Sequence, residues 1–118
     1  MRVGGVEVRP SLIPNAGNGL FAAVEFSEGE VICEYTGRHL SFLQAYKAPD
    51  KTYIMGGFGI NVHIDAKDFP CSMGRYINDP RNPDLENSKF VKLKPERKAI
   101  VIALRNIKVR TKVTHCLY

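Results

Sequence analysis

The chain has 118 residues, 44% apolar and 25% charged, a size and balance that suit one globular domain with one hydrophobic core and exclude a disordered polar chain. No apolar run approaches the roughly 20 residues that cross a bilayer, and the opening MRVGGVEVRP lacks the apolar stretch of a secretory signal. The net charge is +5, and it is uneven: between Lys89 and Lys112 nine Lys or Arg face a single acid, Glu96.

In chain order, VEVRPS (6–11) alternates like a strand, NAGNG (15–19) is turn chemistry, LFAAVEF (20–26) is apolar, SEGE (27–30) is a second turn, and VICEYTG (31–37) is a strand closed by Gly37. SFLQAYKA (41–48) is the best helix, with Ser41 as cap and Gln44 at the capping-box position. KTYIMGGFGINVHIDA (51–66) reads as two strands around a Gly-rich turn. RYINDPRNPD (75–84) is an irregular loop, because its prolines with Asn and Asp around them forbid a regular element. SKFVKLK (88–94), the turn PER (95–97) and KAIVIALRNI (98–107) complete the chain's β character, the last as a central buried strand. The composition of elements is mostly β, with one or two short helices and neither repeats nor a linker.

Several features carry alternative readings. In the basic run the charges alternate with apolar residues (KFVKLK), which suits either the solvated face of a strand or a surface for nucleic acid or an acidic partner. Gly17 and Gly19 form a Gly-x-Gly pair, but strand-like sequence follows where a dinucleotide fingerprint needs a helix. The pair is then a hairpin turn, or a place where backbone groups approach a ligand closely. His63 and Asp65 alternate onto one strand face, too few ligands for zinc, and read as a hydrogen-bonded structural pair. Cys33, Cys71 and Cys116 contain no CxxC spacing and read as reduced thiols. The chain thus reads as soluble and intracellular.

The order of the short motifs says more than any one of them. Gly-x-Gly-Leu-Phe-Ala is followed by F-x-x-G-E-x-I-x-E-Y-x-G, then Y-I-M, I-D-A, G-R-Y-I-N-x-x-x-x-P and I-x-A-L-R-N-I. In that order and spacing, over residues 6–108, the chain resembles a SET domain, the fold of the protein-lysine methyltransferases. The family's Arg-Phe-Ile-Asn-His-Ser-Cys-x-Pro-Asn motif lands on Arg75 to Asp84 without a gap. The resemblance implies a mostly β fold of several small sheets with one or two short helices and a C-terminal pseudoknot. It implies a single SET-like domain over 1–118, with no preceding zinc module and no following post-SET segment. The implied activity is S-adenosylmethionine-dependent methylation of a protein lysine, with a histone tail as the family's usual substrate. The implied cofactor contacts are Asn18, Gly19, Leu20, Arg75 and Asn78; Tyr53 lines the methyl-transfer pocket, and Tyr118 is the one tyrosine available for the catalytic C-terminal position. The implied setting has no membrane partner and is nuclear if the substrate is chromatin, with the 89–112 region available to DNA. A histone tail is itself basic, so that region would face DNA or lie away from the lysine channel.

The chain departs from the family pattern in two places. Asp79-Pro80-Arg81 stands where the family has His-Ser-Cys, and Asp84 replaces the final Asn. After ALRNIK the family continues with a Gly-Glu-Glu turn, a short strand and Asp-Tyr, whereas this chain reads VRTKVTHCLY, with Tyr118 one place late. The completeness of the pseudoknot is therefore open, and so are three readings: an active methyltransferase using Tyr118, a catalytically impaired SET-fold binding or regulatory module (a truncated product included), and an unrelated small β-rich domain such as a basic nucleic-acid binder. Phe90 is the sole aromatic residue within the basic run, which gives base stacking little to work with.

Overall fold

The computed structural model describes residues 1–11, 17–59 and 61–115. Its elements are β1 (Arg2–Val3), β2 (Val6–Pro10), β3 (Asn18–Ala22), β4 (Val31–Tyr35), β5 (Arg38–Leu40), α1 (Phe42–Lys47), β6 (Ile54–Met55), β7 (His63–Asp65), two 3-10 turns (Met73–Tyr76 and Pro83–Leu85), β8 (Ser88–Leu93), β9 (Lys98–Ala103) and β10 (Lys112–Val113). The strands form three small sheets, ordered β1-β2-β3-β10, β4-β9-β8 and β5-β7-β6. The fold is mostly strand with very little helix, as the SET resemblance implies.

The alternation of each strand explains which face it buries. Along β9, Ala99, Val101 and Ala103 are buried while the residues between them are half-exposed, and the strand lies at the centre of its sheet, as its apolar run foretold. Across the first sheet Val8 stands opposite Leu20, and Leu20 opposite Val113, so β3 is clamped from both sides. One core cluster joins this sheet to β4 and β9 through Leu20, Ile32, Met73, Ile77, Val101 and Val113. A second gathers Tyr35, Phe58, Ile64, Ala66 and Ala99 between the other two sheets, and Phe90 packs against both. The helix α1 has the expected capping box: Ser41 accepts from the Gln44 backbone at 3.2 Å, and Gln44 returns the contact to the Ser41 N–H at 2.8 Å.

Three expectations change in detail. The apolar run 20–26 does not continue as one strand; it breaks after Ala22 and rejoins as a single bridge between Phe26 and Ile107. The segment Arg38–Leu40, taken for part of no element, pairs with β7. The 75–84 loop is irregular but not devoid of helical turns: it begins within one 3-10 turn, and Pro83 opens another, where its fixed φ suits a first helical position and Asn82 caps by accepting from the Asp84 N–H at 3.0 Å.

The C-terminal crossing is the fold's distinctive junction. Beyond β10 the tail enters a gap between two parts of the 78–88 segment. On one side Thr114 makes a parallel bridge with Asn78, and the His115 N–H donates to the Asn78 carbonyl at 3.2 Å. On the other side the Thr114 carbonyl accepts from the Asn87 and Ser88 N–H groups at 3.3 and 3.2 Å and from the Ser88 hydroxyl at 2.7 Å. Asn87 completes the clamp, with Oδ1 accepting from the Thr114 N–H at 2.9 Å and Nδ2 donating to the Lys112 carbonyl at 2.8 Å. These bonds satisfy backbone groups that no sheet reaches, which is why buried Asn87, Ser88 and Thr114 are polar. In the turn leading to this tail Arg110 holds φ +73°, the left-handed backbone of a glycine, where the family carries its Gly-Glu-Glu turn.

Candidate functional site

The 75–84 loop borders a cavity and, through Asn78, meets β3 in a close junction. The cavity has a volume of about 350 Å³, and Tyr35, Tyr53, Met55, Arg75, Ile77 and Phe90 are among its walls. Tyr35 closes β4 and is fixed by close packing: a Cβ added to Gly74 would lie 3.1 Å from the Glu34 carbonyl oxygen and 3.2 Å from Tyr35 Cβ, so a glycine lets the loop seat there. Phe90 meets the Tyr35 ring edge-on, with centroids 5.9 Å apart. The Tyr35 hydroxyl donates to the Tyr53 carbonyl. Burial, with the Asp65 charge adding to it and Arg75 opposing, pushes the Tyr35 phenol well above its ordinary range, so it stays protonated.

Arg75 forms the charged wall. Its Nη1 donates to the carbonyls of Ala66 and Lys67 at 2.9 Å each, and its guanidinium lies 4.1 Å from the Tyr53 ring centre and 5.1 Å from that of Tyr76. Arg75 Nε is buried with no hydrogen-bond partner among the described residues. A buried donor left over at a cavity wall is costly unless a ligand engages it.

The junction lies where β3 meets Asn78. Asn78 Nδ2 donates to the Asn18 carbonyl at 3.2 Å, and its Oδ1 accepts from the Ser11 hydroxyl at 2.8 Å. At Gly19 the packing is tight: a Cβ there would lie 2.9 Å from Asn78 Oδ1 and 3.3 Å from Lys112 Cε, so glycine lets these side chains sit against the strand. This is the close backbone approach that the Gly-x-Gly pair allows.

The expected site residues fall into these two groups. Tyr53 and Arg75 share the cavity, while Asn18, Gly19 and Asn78 meet at the junction. Leu20 is a core residue with 0% exposure on a strand paired along both edges, so the structure offers no surface of it to a ligand. Tyr118 lies outside the described residues. Tyr35 and Phe90 were not foreseen as site residues; Tyr35 stood in plain view in E-Y-x-G, whereas Phe90 looked like any apolar position of an alternating strand.

His63 and Asp65 share a strand but form no hydrogen-bonded pair. Asp65 Oδ1 accepts instead from the Lys67 N–H at 3.0 Å, and buried His63 Nδ1 has no partner among the described residues. Two residues on one strand face sit too far apart for their short side chains to meet when a nearer backbone donor competes. Cys33 and Cys71 are free thiols; burial, aided by the Glu34 charge, raises Cys33 to about 12.

The basic run does not form a single face. Lys89 and Lys92 are exposed on the edge strand β8, Lys98 pairs with Glu34 at 2.9 Å, Arg105 donates to the Glu86 carbonyl at 2.6 Å, and Lys112 turns toward Ser11. Lysines on an exposed sheet edge also discourage strand addition by other chains. Among the described residues, no helix is long and apolar enough to cross a membrane.

No curated protein matches the chain. The family model of the SET domain matches residues 17–116, which include both the cavity and the crossing. With the sheets, the knot loop and the match in agreement, this chain belongs to the SET-domain family, whose fold is of the lysine-methyltransferase type.

Proposed function

We propose that the protein is an S-adenosylmethionine-dependent protein-lysine N-methyltransferase, with histone tails as its substrates. The observation that carries this reading is the cavity bounded by Tyr35, Tyr53 and Arg75, on the loop that also meets β3 at Gly19. One feature suits a bound ligand: at the cavity wall Arg75 carries a buried donor with no partner among the described residues. Asn18, Gly19 and Asn78 would hold the cofactor, with Arg75 beside the transferring end. When bound, S-adenosylmethionine supplies a methyl group on a sulfonium, already activated for attack.

The protein then has to present a neutral amine in a dry channel. Because the Tyr35 proton is committed to the Tyr53 carbonyl, its oxygen keeps acceptor capacity for an amine N–H that reaches it. Arg75 places a like charge at the wall, and burial removes water; both effects disfavour the ammonium form of an entering lysine. Tyr35 cannot offset them by ionising, since its own phenol is held protonated. Met55, Ile77 and Phe90 supply apolar walls along which the lysine methylenes are aligned. Tyr118 is proposed as the second catalytic hydroxyl, with Tyr53 orienting the cavity.

A second reading, a SET-fold binding or regulatory module, is favoured by one feature: Asp79 replaces the family histidine, and its carboxylate accepts from the Arg81 N–H at 2.7 Å in a closed local turn. Calorimetric titration with S-adenosylmethionine, followed by labelled methyl transfer to histone-tail peptides, separates the two. Saturable binding with transfer that falls in Tyr118→Phe supports the enzyme; binding without transfer supports the module, and equal transfer by Tyr118→Phe removes Tyr118 from the chemistry. A DNA contact through the exposed β8 lysines would show as binding that weakens steeply with salt.

A further inference from the structure

We infer that the groove between α1 and β6 is a substrate-specificity subsite, taking an aromatic or large aliphatic side chain of the protein substrate about three residues from the acceptor lysine. This rests on the methyltransferase reading above and adds to it what the substrate must carry beside its lysine. The groove has a volume of about 380 Å³, with Phe42, Tyr46, Ile54 and His63 among its walls. Ile54 is also a wall of the cavity of Tyr35, Tyr53 and Arg75. It sits on β6, at the edge of the sheet ordered β5-β7-β6, so the two spaces adjoin across one short strand. No other strand covers the outer edge of β6 among the described residues. Rounding a strand takes about 10 Å, the spacing of packed layers, and an extended chain rises about 3.3 Å per residue. A segment with its lysine in the cavity therefore reaches the groove about three residues away.

The walls of the groove suit an apolar occupant. Phe42 and Tyr46, one helical turn apart, have ring centres 6.4 Å apart and planes inclined by 17°, and the His63 ring lies 6.3 Å from Phe42, tilted by 55°. Ala45 is buried, whereas Phe42 and Tyr46 are 59% and 70% exposed, so the helix packs through a small residue and leaves both rings uncovered. The backbone that carries them is pinned: the Phe42 N–H donates to Asn61 Oδ1 at 2.7 Å, beside the capping box of Ser41 and Gln44. Rings with few rotatable bonds on a fixed turn offer a large contact area at little cost in ordering. Charge narrows the occupant further. Lys51 also lines the groove, with Nζ donating to the Ala48 carbonyl at 2.6 Å, and no acid forms an ion pair with it among the described residues. Its charge opposes a lysine or arginine in the groove and favours an acidic neighbour.

The test uses fluorescein-labelled peptides with one central lysine on an alanine, glycine and serine background, with phenylalanine, leucine or lysine placed in turn at each flanking position. Binding is read by anisotropy and labelled methyl transfer is followed on the same peptides. At a position about three residues from the lysine, phenylalanine or leucine should tighten binding roughly ten- to thirtyfold over alanine, as a fall in KM rather than a rise in kcat, and lysine there should weaken it. The double variant Phe42→Ser, Tyr46→Ser should lose this preference, and Tyr46→Phe should keep it. Both rings are more than half exposed, so the double variant should melt near the wild-type temperature. Methyl transfer with no apolar preference at any position, or a preference that survives in the double variant, overturns the inference and leaves the enzyme reading standing. The preference in binding without any transfer supports the groove and overturns the enzyme reading. If the wild-type chain neither binds nor methylates any peptide, both are overturned.

Discussion

Replacing Asn87 with alanine tests the knot where it is most exposed to a single change. Asn87 is 8% exposed, and its side chain holds the tail twice, at the Thr114 N–H (2.9 Å) and the Lys112 carbonyl (2.8 Å). Alanine leaves the Thr114 N–H buried without an acceptor, at about 1–3 kcal/mol, and removes a part-buried bond to Lys112 worth about 1 kcal/mol. The sum is about 2–4 kcal/mol, a large share of the roughly 6–18 kcal/mol that a domain of this length possesses. Urea unfolding followed by circular dichroism should show a lower midpoint with an unchanged slope. Asn87→Asp keeps the acceptor for Thr114 but sets a buried carboxylate oxygen against the Lys112 carbonyl, so it should cost at least as much as alanine. A change under about 0.5 kcal/mol in Asn87→Ala would refute the claim that this side chain clamps the crossing.

Other consequences are accessible to standard assays. Tyr35→Phe should keep the fold but slow methyl transfer by about a hundredfold, because the oriented acceptor for the amine is lost; unchanged turnover would remove Tyr35 from the site. Arg110→Gly should stabilise the protein by about 0.5–1 kcal/mol in thermal melts, since φ +73° strains a side-chain-bearing residue more than glycine's extra unfolded entropy costs. A loss of stability there would contradict the turn geometry. Cys33 rises from 9.0 to about 12 on folding, so its contribution is intact below pH 9 and is lost as the pH climbs through 12, with the unfolded chain ionising first. Wild type should therefore lose stability with pH faster than Cys33→Ala across that window, by up to about 1.4 kcal/mol per pH unit; parallel curves would show that the thiol is not buried as described.

The sequence carried the parts of this fold whose causes are local. Alternation in KAIVIA, the Ser41–Gln44 box and the prolines of the 75–84 loop each act within a few residues, and each appears where expected. The crossing was legible only through the family resemblance, because it depends on Asn78, Asn87 and Thr114 meeting across wide sequence separations. The same distance hid the cavity's composition. Phe90 serves as an alternating strand residue and also as a wall touching Tyr35 and His115, and nothing in its own neighbourhood distinguishes the two. Leu20 shows the reverse case: a motif position that is wholly core, paired along both strand edges. The Lys112 relay to Ser11 and Asn78 belongs to the non-local class too, joining residues from both ends of the chain.

The most direct test of the central claim is the incorporation of labelled methyl from S-adenosylmethionine into histone-tail peptides, each compared with a twin whose lysines are replaced by arginine. The account predicts incorporation into a lysine peptide, none into its arginine twin, and a clear fall with Tyr35→Phe. Saturable cofactor binding with no incorporation into any lysine peptide would contradict it and leave a SET fold that binds without catalysing.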